Sequence, residues 1–204
     1  MMPLAPAETW ESIWAPLLME AARQAGARTN RASGFAQFVT AIVLAKASWE
    51  AFQNEFVESR NLPPEIKAKS LTNAIPLICH ALGVEVINFQ CRTVWESLLC
   101  VSRLRNAIIH HAANPHKQGE APSGLMEDLK RHGVIDYSNS KTSWESLLVT
   151  SKTASWSCIV VGKAILELER IPNRRRRSPT LVEQKVLEAL QILPATFVRE
   201  LSDA

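Results

Sequence analysis

The residues best suited to chemistry in this 204-residue chain lie within six positions, from Arg105 to His110. Arg105 carries a permanent positive charge on a planar set of N–H donors that can hold a phosphate. Asn106 follows with an amide, and His110 adds an imidazole, the side chain whose ordinary pKa suits proton transfer near neutral pH. A cation that binds phosphate beside a proton carrier indicates chemistry on a phosphodiester.

The segment from about residue 88 to residue 113 predicts a helix around these three residues. At roughly 100° per residue, six apolar positions fall on one face as a core stripe: Val94, Leu98, Val101, Leu104, Ile108 and Ala112. Asn106 and His110 share the opposite face with Arg103, Leu99 and Trp95. Because solvated faces seldom carry Trp and Leu beside a histidine, we interpret this face as a second contact surface.

Arg105 lies near the edge of that core stripe. A partly buried guanidinium requires a hydrogen-bonded partner, and a carboxylate suits it best, with Glu50 as the first candidate and Glu96 as the second. A spacing of five separates Arg105 from His110 by roughly 140° around the helix. Either the helix is distorted, or the long Arg105 side chain reaches around it, or two copies of the helix from two subunits form one site.

Helical periodicity continues along most of the chain. The predicted helices span about residues 8–25, 35–60, 64–82, 88–113, 125–132, 143–169 and 181–193. Gly26 and Gly83 mark expected helix ends, and Pro76 marks an expected bend. Because alternation with a period of two is nearly absent, the sequence predicts an all-α bundle of four main helices with additional short helices. We divide the chain into a helical domain, 1–171, and a basic linker with a C-terminal helix, 172–204.

Composition is that of a folded protein outside the membrane. Hydrophobic residues make up 47% and charged residues 21%, which suffices for a substantial core, and the net charge is +3. The N-terminal sequence lacks a basic region followed by an apolar one, and no apolar run approaches the roughly 20 residues that span a bilayer. We therefore expect a cytoplasmic protein without a secretory signal or a membrane segment.

The cysteines and histidines do not predict a metal site. Cys79, Cys91, Cys100 and Cys158 lack C-x-x-C spacing and lie in helical segments, so we expect buried reduced thiols. A zinc site on His110, His111 and His116 is disfavoured, because adjacent histidines diverge on a helix and no thiolate is nearby. No metal and no cofactor is predicted.

Arg105, Asn106 and His110 give the chain a family resemblance. An arginine followed by a polar residue and then by a histidine, late in a helix of an all-α protein, resembles the HEPN superfamily, whose motif is Arg, four to six residues, then His. The earlier long helix with an acidic residue, here Glu50, agrees with that setting. The resemblance covers roughly residues 8–171 and implies a HEPN-like up-and-down bundle.

The resemblance implies a metal-independent endoribonuclease that acts as a homodimer, with the motif helices of both subunits lining one cleft. His110 would serve as base or acid, Arg105 would stabilise charge on the phosphoryl oxygens, and Asn106 would orient His110 or the phosphate. Glu50, His111 and Arg103 are supporting candidates. The run Arg174, Arg175, Arg176 and Arg177 is a candidate contact with the RNA backbone, with a solvated linker as the alternative.

Two further roles are implied by the same resemblance. Many such ribonucleases are toxins or phage-defence effectors, and one branch pairs with an antitoxin that modifies a tyrosine two residues after the histidine. This chain has Ala112 at that position. Residues 174–204 are a candidate docking tail for an antitoxin. The alternative function is a non-catalytic HEPN-like module that binds RNA, a nucleotide or a partner protein.

Overall fold

The structure is a computed structural model that describes seven parts of the chain: residues 12–27, 31–67, 69–84, 92–113, 124–135, 144–171 and 180–195, with the backbone alone at 31–33, 92, 111–113 and 145. Within these ranges every regular element is a helix. The α-helices are α1 (Trp14–Gly26), α2 (Arg31–Ser59), α3 (Leu71–Ala81), α4 (Arg92–Ala113), α5 (Leu125–Arg131), α6 (Trp144–Leu148), α7 (Ser151–Arg170) and α8 (Leu181–Leu190). A 3-10 helix, Pro64–Ile66, precedes α3. The all-α prediction is confirmed for these parts.

Helix α7 lies at the centre of the bundle. Every residue from Thr153 to Gly162 is buried. Helices α1, α2, α4 and α8 all pack against α7, and α1, α2, α4 and α7 are the four longest helices. The predicted bundle of four main helices is therefore present, with α7 as its innermost member.

Helices α1 and α2 share the most extensive packing among the described helices. The buried residues of α1 repeat at helical spacing and are mostly small: Trp14, Ala15, Leu18, Ala21, Ala22 and Ala25. Small side chains let the two backbones approach, and the Ser48 hydroxyl donates a buried hydrogen bond of 2.8 Å to the carbonyl oxygen of Trp14. Glu55 of α2 accepts from the Ser12 hydroxyl at 2.8 Å and from the Ile13 N–H at 3.0 Å. A carboxylate thus stabilises the positive end of α1.

Aromatic rings connect α4 to this pair. Trp14 packs edge-on against Phe52 with ring centroids 5.3 Å apart. Trp49 is fully buried and meets Trp95 of α4 at 5.7 Å with an interplanar angle of 66°. Edge-to-face geometry is favoured by the ring quadrupoles, so these contacts fix the start of α4 on the core.

One predicted helix is interrupted. The sequence predicts a single helix over 143–169, but the structure ends α6 at Leu148 and starts α7 at Ser151. Thr150 between them is extended, and its hydroxyl accepts a 3.1 Å hydrogen bond from the N–H of Thr153. The prediction was wrong because a threonine cap competes with helix continuation, although the flanking apolar spacing is helical.

The predicted helix over 64–82 is also divided. A 3-10 turn comes first, and α3 starts after Ser70, whose backbone is extended. Helix α3 runs through Pro76 and ends at Ala81. Gly83 has φ +66°, and the N–H of Val84 donates to the carbonyl of Cys79 at 2.9 Å, so Gly83 ends the helix as predicted.

The other helix ends lie close to their predicted places. Helix α1 ends at Gly26 as expected, α2 starts at Arg31 rather than near residue 35, and α5 matches its prediction closely. Helix α8 ends at Leu190, before the predicted end near residue 193. Residues 8–11 and 88–91 of two predicted helices lie outside the described residues.

Three thiols lie in the core as expected. Cys79, Cys100 and Cys158 are buried and free. Burial raises the pKa of the Cys79 thiol to about 11 and those of Cys100 and Cys158 to about 12, because the thiolate is penalised away from water. Cys91 lies outside the described residues.

Helix α8 packs on the bundle instead of standing apart from it. A capping box between Thr180 and Glu183 starts the helix, and Val186 and Ala189 are fully buried. A Cβ atom at Gly162 would lie 3.1 Å from side-chain carbons of both Val186 and Leu190. The missing side chain at Gly162 therefore sets how closely α8 approaches α7.

We predict that Gly162→Leu weakens this contact. A leucine has no room against α8, and overpacking of this kind costs about 1–3 kcal/mol, of which roughly 1 kcal/mol is offset by the better helix propensity of leucine. Chemical denaturation should show a lower free energy of unfolding, and limited proteolysis should cut first around α8. Ala81→Leu, at an exposed position of α3, is the matched control and should leave both unchanged. A variant as stable and as protease-resistant as the wild type would contradict the packing described.

Candidate functional site

One side of α4 is open to solvent along its whole described length. Its exposed residues recur at intervals of three and four and form what we call the α4 stripe: Thr93, Glu96, Leu99, Arg103, Asn106 and His110. Leu98, Val101, Leu104 and Ile108 on the other side are buried against the bundle. The predicted division of the motif helix into a core face and an outward face is confirmed, and Asn106 and His110 share the outward one.

The three motif residues occupy different depths. Asn106 and His110 are exposed, one turn apart, whereas Arg105 is half-buried at the edge of the core face. The Arg105 guanidinium donates a 3.0 Å hydrogen bond from Nη1 to Oδ1 of Asn106. Because α4 is a continuous α-helix through the motif, a distorted helix is ruled out as the way of joining Arg105 to the outward face. The arginine side chain instead turns toward the stripe through Asn106.

Glu50 does not pair with Arg105. Its carboxylate accepts from Nζ of Lys46 at 3.0 Å, one turn earlier on α2, and the Glu50 side chain is 56% exposed while that of Lys46 is 10% exposed. Glu96, the second candidate, lies nine residues before Arg105 on the α4 stripe and is not its partner either. The expected carboxylate partner was wrong because the adjacent amide of Asn106 is within reach without any tertiary contact.

Arg103 connects α4 to α5 through an ion pair. Its guanidinium forms an ion pair with Asp128 of α5, and the same carboxylate lies 3.4 Å from Nη1 of Arg131. Asp128 therefore holds one arginine from α4 and one from α5. Arg103 stands on the α4 stripe, two turns from His110, and its position is fixed by this pair.

The structure differs from the sequence prediction at Trp95. The spacing predicts this residue on the outward face, but its side chain is half-buried against Trp49, because burying a large ring is more favourable in free energy than leaving it in water. The side chain of His111 lies outside the described residues. The arginine run Arg174, Arg175, Arg176 and Arg177 also lies outside them.

A second group of polar residues, around His132, gave no functional signal in the sequence. His132 follows the last residue of α5, is half-buried, and its ring lies 5.5 Å from that of Trp156 on α7. Its Nδ1 is 3.4 Å from the hydroxyl oxygen of Ser97 on α4. Three segments distant in sequence meet here, which is why spacing along the chain does not reveal the group.

Burial lowers the pKa of His132 below its ordinary value. Nearby Asp128 acts against this lowering, Arg131 adds to it, and Glu96 acts weakly against it. The neutral imidazole is therefore the form that the fold prefers. This group couples stability to pH, since the unfolded chain binds the histidine proton more readily.

We predict that stability falls as the pH is lowered from about 6.5, the ordinary value of histidine, toward the lower pKa of folded His132. Above about 6.5 the histidine is neutral in both states, so it contributes no slope there. His132→Asn should flatten this part of a plot of unfolding free energy against pH. His80→Asn changes the same residue type at an exposed position of α3 and should keep the wild-type slope. Equal slopes in His132→Asn and wild type would contradict the assignment.

None of the described helices combines the length and apolar character needed to cross a membrane. Within the same ranges, no three His, Cys, Asp or Glu side chains gather closely enough to hold a metal ion.

Compared with models of known protein families, with curated proteins and with solved structures, the chain matches none of them.

Proposed function

We propose that the protein is a metal-independent endoribonuclease whose active site forms between the α4 stripes of two copies of the chain. One observation carries the proposal. A half-buried arginine is hydrogen-bonded at 3.0 Å to Asn106, on a continuous helix that presents Asn106 and His110 to solvent one turn apart. The amide and the imidazole thus lie on one open surface, and the cation is hydrogen-bonded to the amide.

The reaction that suits these groups is transfer of a phosphoryl group within the RNA. The ribose 2′-oxygen attacks the adjacent phosphorus, the new bond closes a 2′,3′-cyclic phosphate, and the bond to the 5′-oxygen of the next nucleotide breaks. His110 removes the 2′-hydroxyl proton or returns a proton to the leaving 5′-oxygen. Arg105 stabilises the charge that grows on the phosphoryl oxygens. DNA lacks the attacking hydroxyl, so this mechanism cleaves RNA alone.

Asn106 has a defined part in this scheme. Its Oδ1 accepts the bond from Arg105, so the amide presents its NH₂ donors to the outside. Those donors are suited to a phosphate oxygen or to a nitrogen of His110. The same bond keeps the arginine near the stripe, although its backbone position lies at the edge of the buried face.

A second copy of the chain completes the proposed site. One chain offers one imidazole, whereas the reaction needs both a base and an acid. Arg105 and His110 are also roughly 140° apart around one helix. A two-fold arrangement of two α4 stripes would supply two histidines and two arginines to one cleft. Leu99, which is 37% exposed on the stripe, offers an apolar contact for such a pairing.

The biological role we propose is that of a toxin or phage-defence effector in the cytoplasm, which follows from the resemblance to HEPN ribonucleases.

The packing of α8 determines which of its faces a proposed antitoxin could bind. Its apolar face packs on α1 and α7, so a partner would bind its outward face, where Leu181 and Leu187 are exposed, or would displace the helix.

We predict that His110→Ala lowers the rate of RNA cleavage by about 10²-fold or more, the usual contribution of a general acid or base. Cleavage of a labelled RNA oligonucleotide in the presence of a chelator measures it. The same oligonucleotide with 2′-deoxy substitutions should remain intact. His80→Ala, at an exposed position on α3, is the matched control and should cleave like the wild type.

The outcomes separate the two functions considered. If wild-type protein cleaves no RNA with or without chelator but binds it, the enzyme proposal fails and the non-catalytic module is favoured. Activity that depends on an added metal ion would contradict the metal-free mechanism while leaving an RNase.

A mixing experiment tests the two-copy site. His110→Ala should be inactive alone. If the cleft needs the histidines of both copies, an equimolar, re-equilibrated mixture of wild type and His110→Ala keeps about one quarter of the activity of the same amount of wild type, since about a quarter of the dimers carry two histidines. Retention of about one half, with subunit exchange verified by a tagged copy, would contradict the composite site but not RNA cleavage itself.

A further inference from the structure

A cleft of about 330 Å³ lies between the start of α4, the end of α5 and the middle of α7. It is separate from the motif, because Ser97, the lining residue of α4 nearest to the motif, is eight residues before Arg105, about 12 Å along the helix. The volume is at the lower end of the range for ligand sites, so it suits a single small molecule.

The lining of the cleft carries both signs of charge. Arg131 and Lys163 are positive and Glu96 is negative. Arg131 also lies 3.4 Å from Asp128, but its side chain is 74% exposed. An ion pair this exposed contributes little, so the guanidinium can turn toward a ligand at small cost. A ligand whose charges are complementary to this lining carries an anionic group and a positive donor.

His132 adds an uncharged acceptor. The hydroxyl of Ser97 donates its proton to the carbonyl oxygen of Thr93 at 2.7 Å, so toward the imidazole it can act as an acceptor alone. The tautomer that suits this contact carries its proton on Nδ1. Nε2 then has the lone pair, and His132 can accept a hydrogen bond from a ligand.

The rest of the lining is apolar. Trp156, Ile159 and Val160 of α7 are buried, and Val94 of α4 is half-buried. These side chains form a wall against which an aliphatic or aromatic group can pack. A purely polar ion would leave this wall facing water, whereas a ligand with an apolar body covers it.

We propose that this cleft binds a small zwitterion with an apolar body, that is, an aliphatic or aromatic α-amino acid. Its carboxylate accepts hydrogen bonds from Arg131 and Lys163, its ammonium group donates to Glu96 and to Nε2 of His132, and its side chain packs on the α7 wall. The proposal does not depend on RNA cleavage, since it uses none of Arg105, Asn106 and His110, although Glu96 at the start of the α4 stripe also belongs to the surface proposed to pair in a dimer.

Isothermal titration calorimetry on the full chain tests the proposal with leucine, phenylalanine and tryptophan as probes. Two partial analogues and one unrelated anion accompany them: 3-phenylpropionate, which lacks the amine, phenethylamine, which lacks the carboxylate, and adenosine monophosphate as the unrelated anion. We expect at least one amino acid to bind, and each partial analogue to bind at least about tenfold more weakly, the usual effect of losing one charged hydrogen bond.

Variants locate the binding. Lys163→Gln and Glu96→Gln should each raise the dissociation constant at least about tenfold with an unchanged circular dichroism spectrum. Lys152→Gln, an exposed lysine of α7 outside the cleft, should leave it unchanged. The proposal is overturned if no amino acid binds, if 3-phenylpropionate binds as well as phenylalanine, or if adenosine monophosphate binds and the amino acids do not. The proposal is also overturned if neither Lys163→Gln nor Glu96→Gln raises the dissociation constant.

Discussion

The constraint on which the structure depends is the enclosure of the first half of α7. Ten consecutive residues, Thr153 to Gly162, are buried, and a helix buried around its whole circumference must be covered from every direction. Helices α1, α2, α4 and α8 provide that cover. Each of these helices packs one face against α7 and its neighbours. Helix α4 therefore has an inward face fixed by packing and an outward face left for other contacts. Asn106 and His110 lie on the outward face, and Arg105 lies at the boundary between the two.

The division of α4 could be predicted because it depends on spacing alone. A helix repeats every 3.6 residues, so the positions of Leu98, Val101, Leu104 and Ile108 fix where Asn106 and His110 must point. What spacing cannot supply is a partner from elsewhere in the fold. Trp95 lies inward because Trp49 of α2 offers it a ring, and no local pattern reports that contact.

The remaining differences have two physical origins. Some arise because a local hydrogen bond replaces the expected structure. The hydroxyl of Thr150 interrupts a helix whose apolar spacing is unbroken. The amide of Asn106, in place of the expected carboxylate, accepts the hydrogen bond from Arg105. Others are encounters between distant segments. The cleft beside His132 needs α4, α5 and α7 together, so its residues look incidental until the helices are packed.

The docking of α8 on α7 has a consequence for the ends of the two helices. An ion pair of 3.6 Å joins Arg170, the last residue of α7, to Glu183 in the first turn of α8. The other oxygen of the Glu183 carboxylate accepts a 2.8 Å hydrogen bond from the N–H of Thr180 in the capping box. One carboxylate therefore contributes both to the start of α8 and to the end of α7, so a substitution there would loosen two helix ends at once.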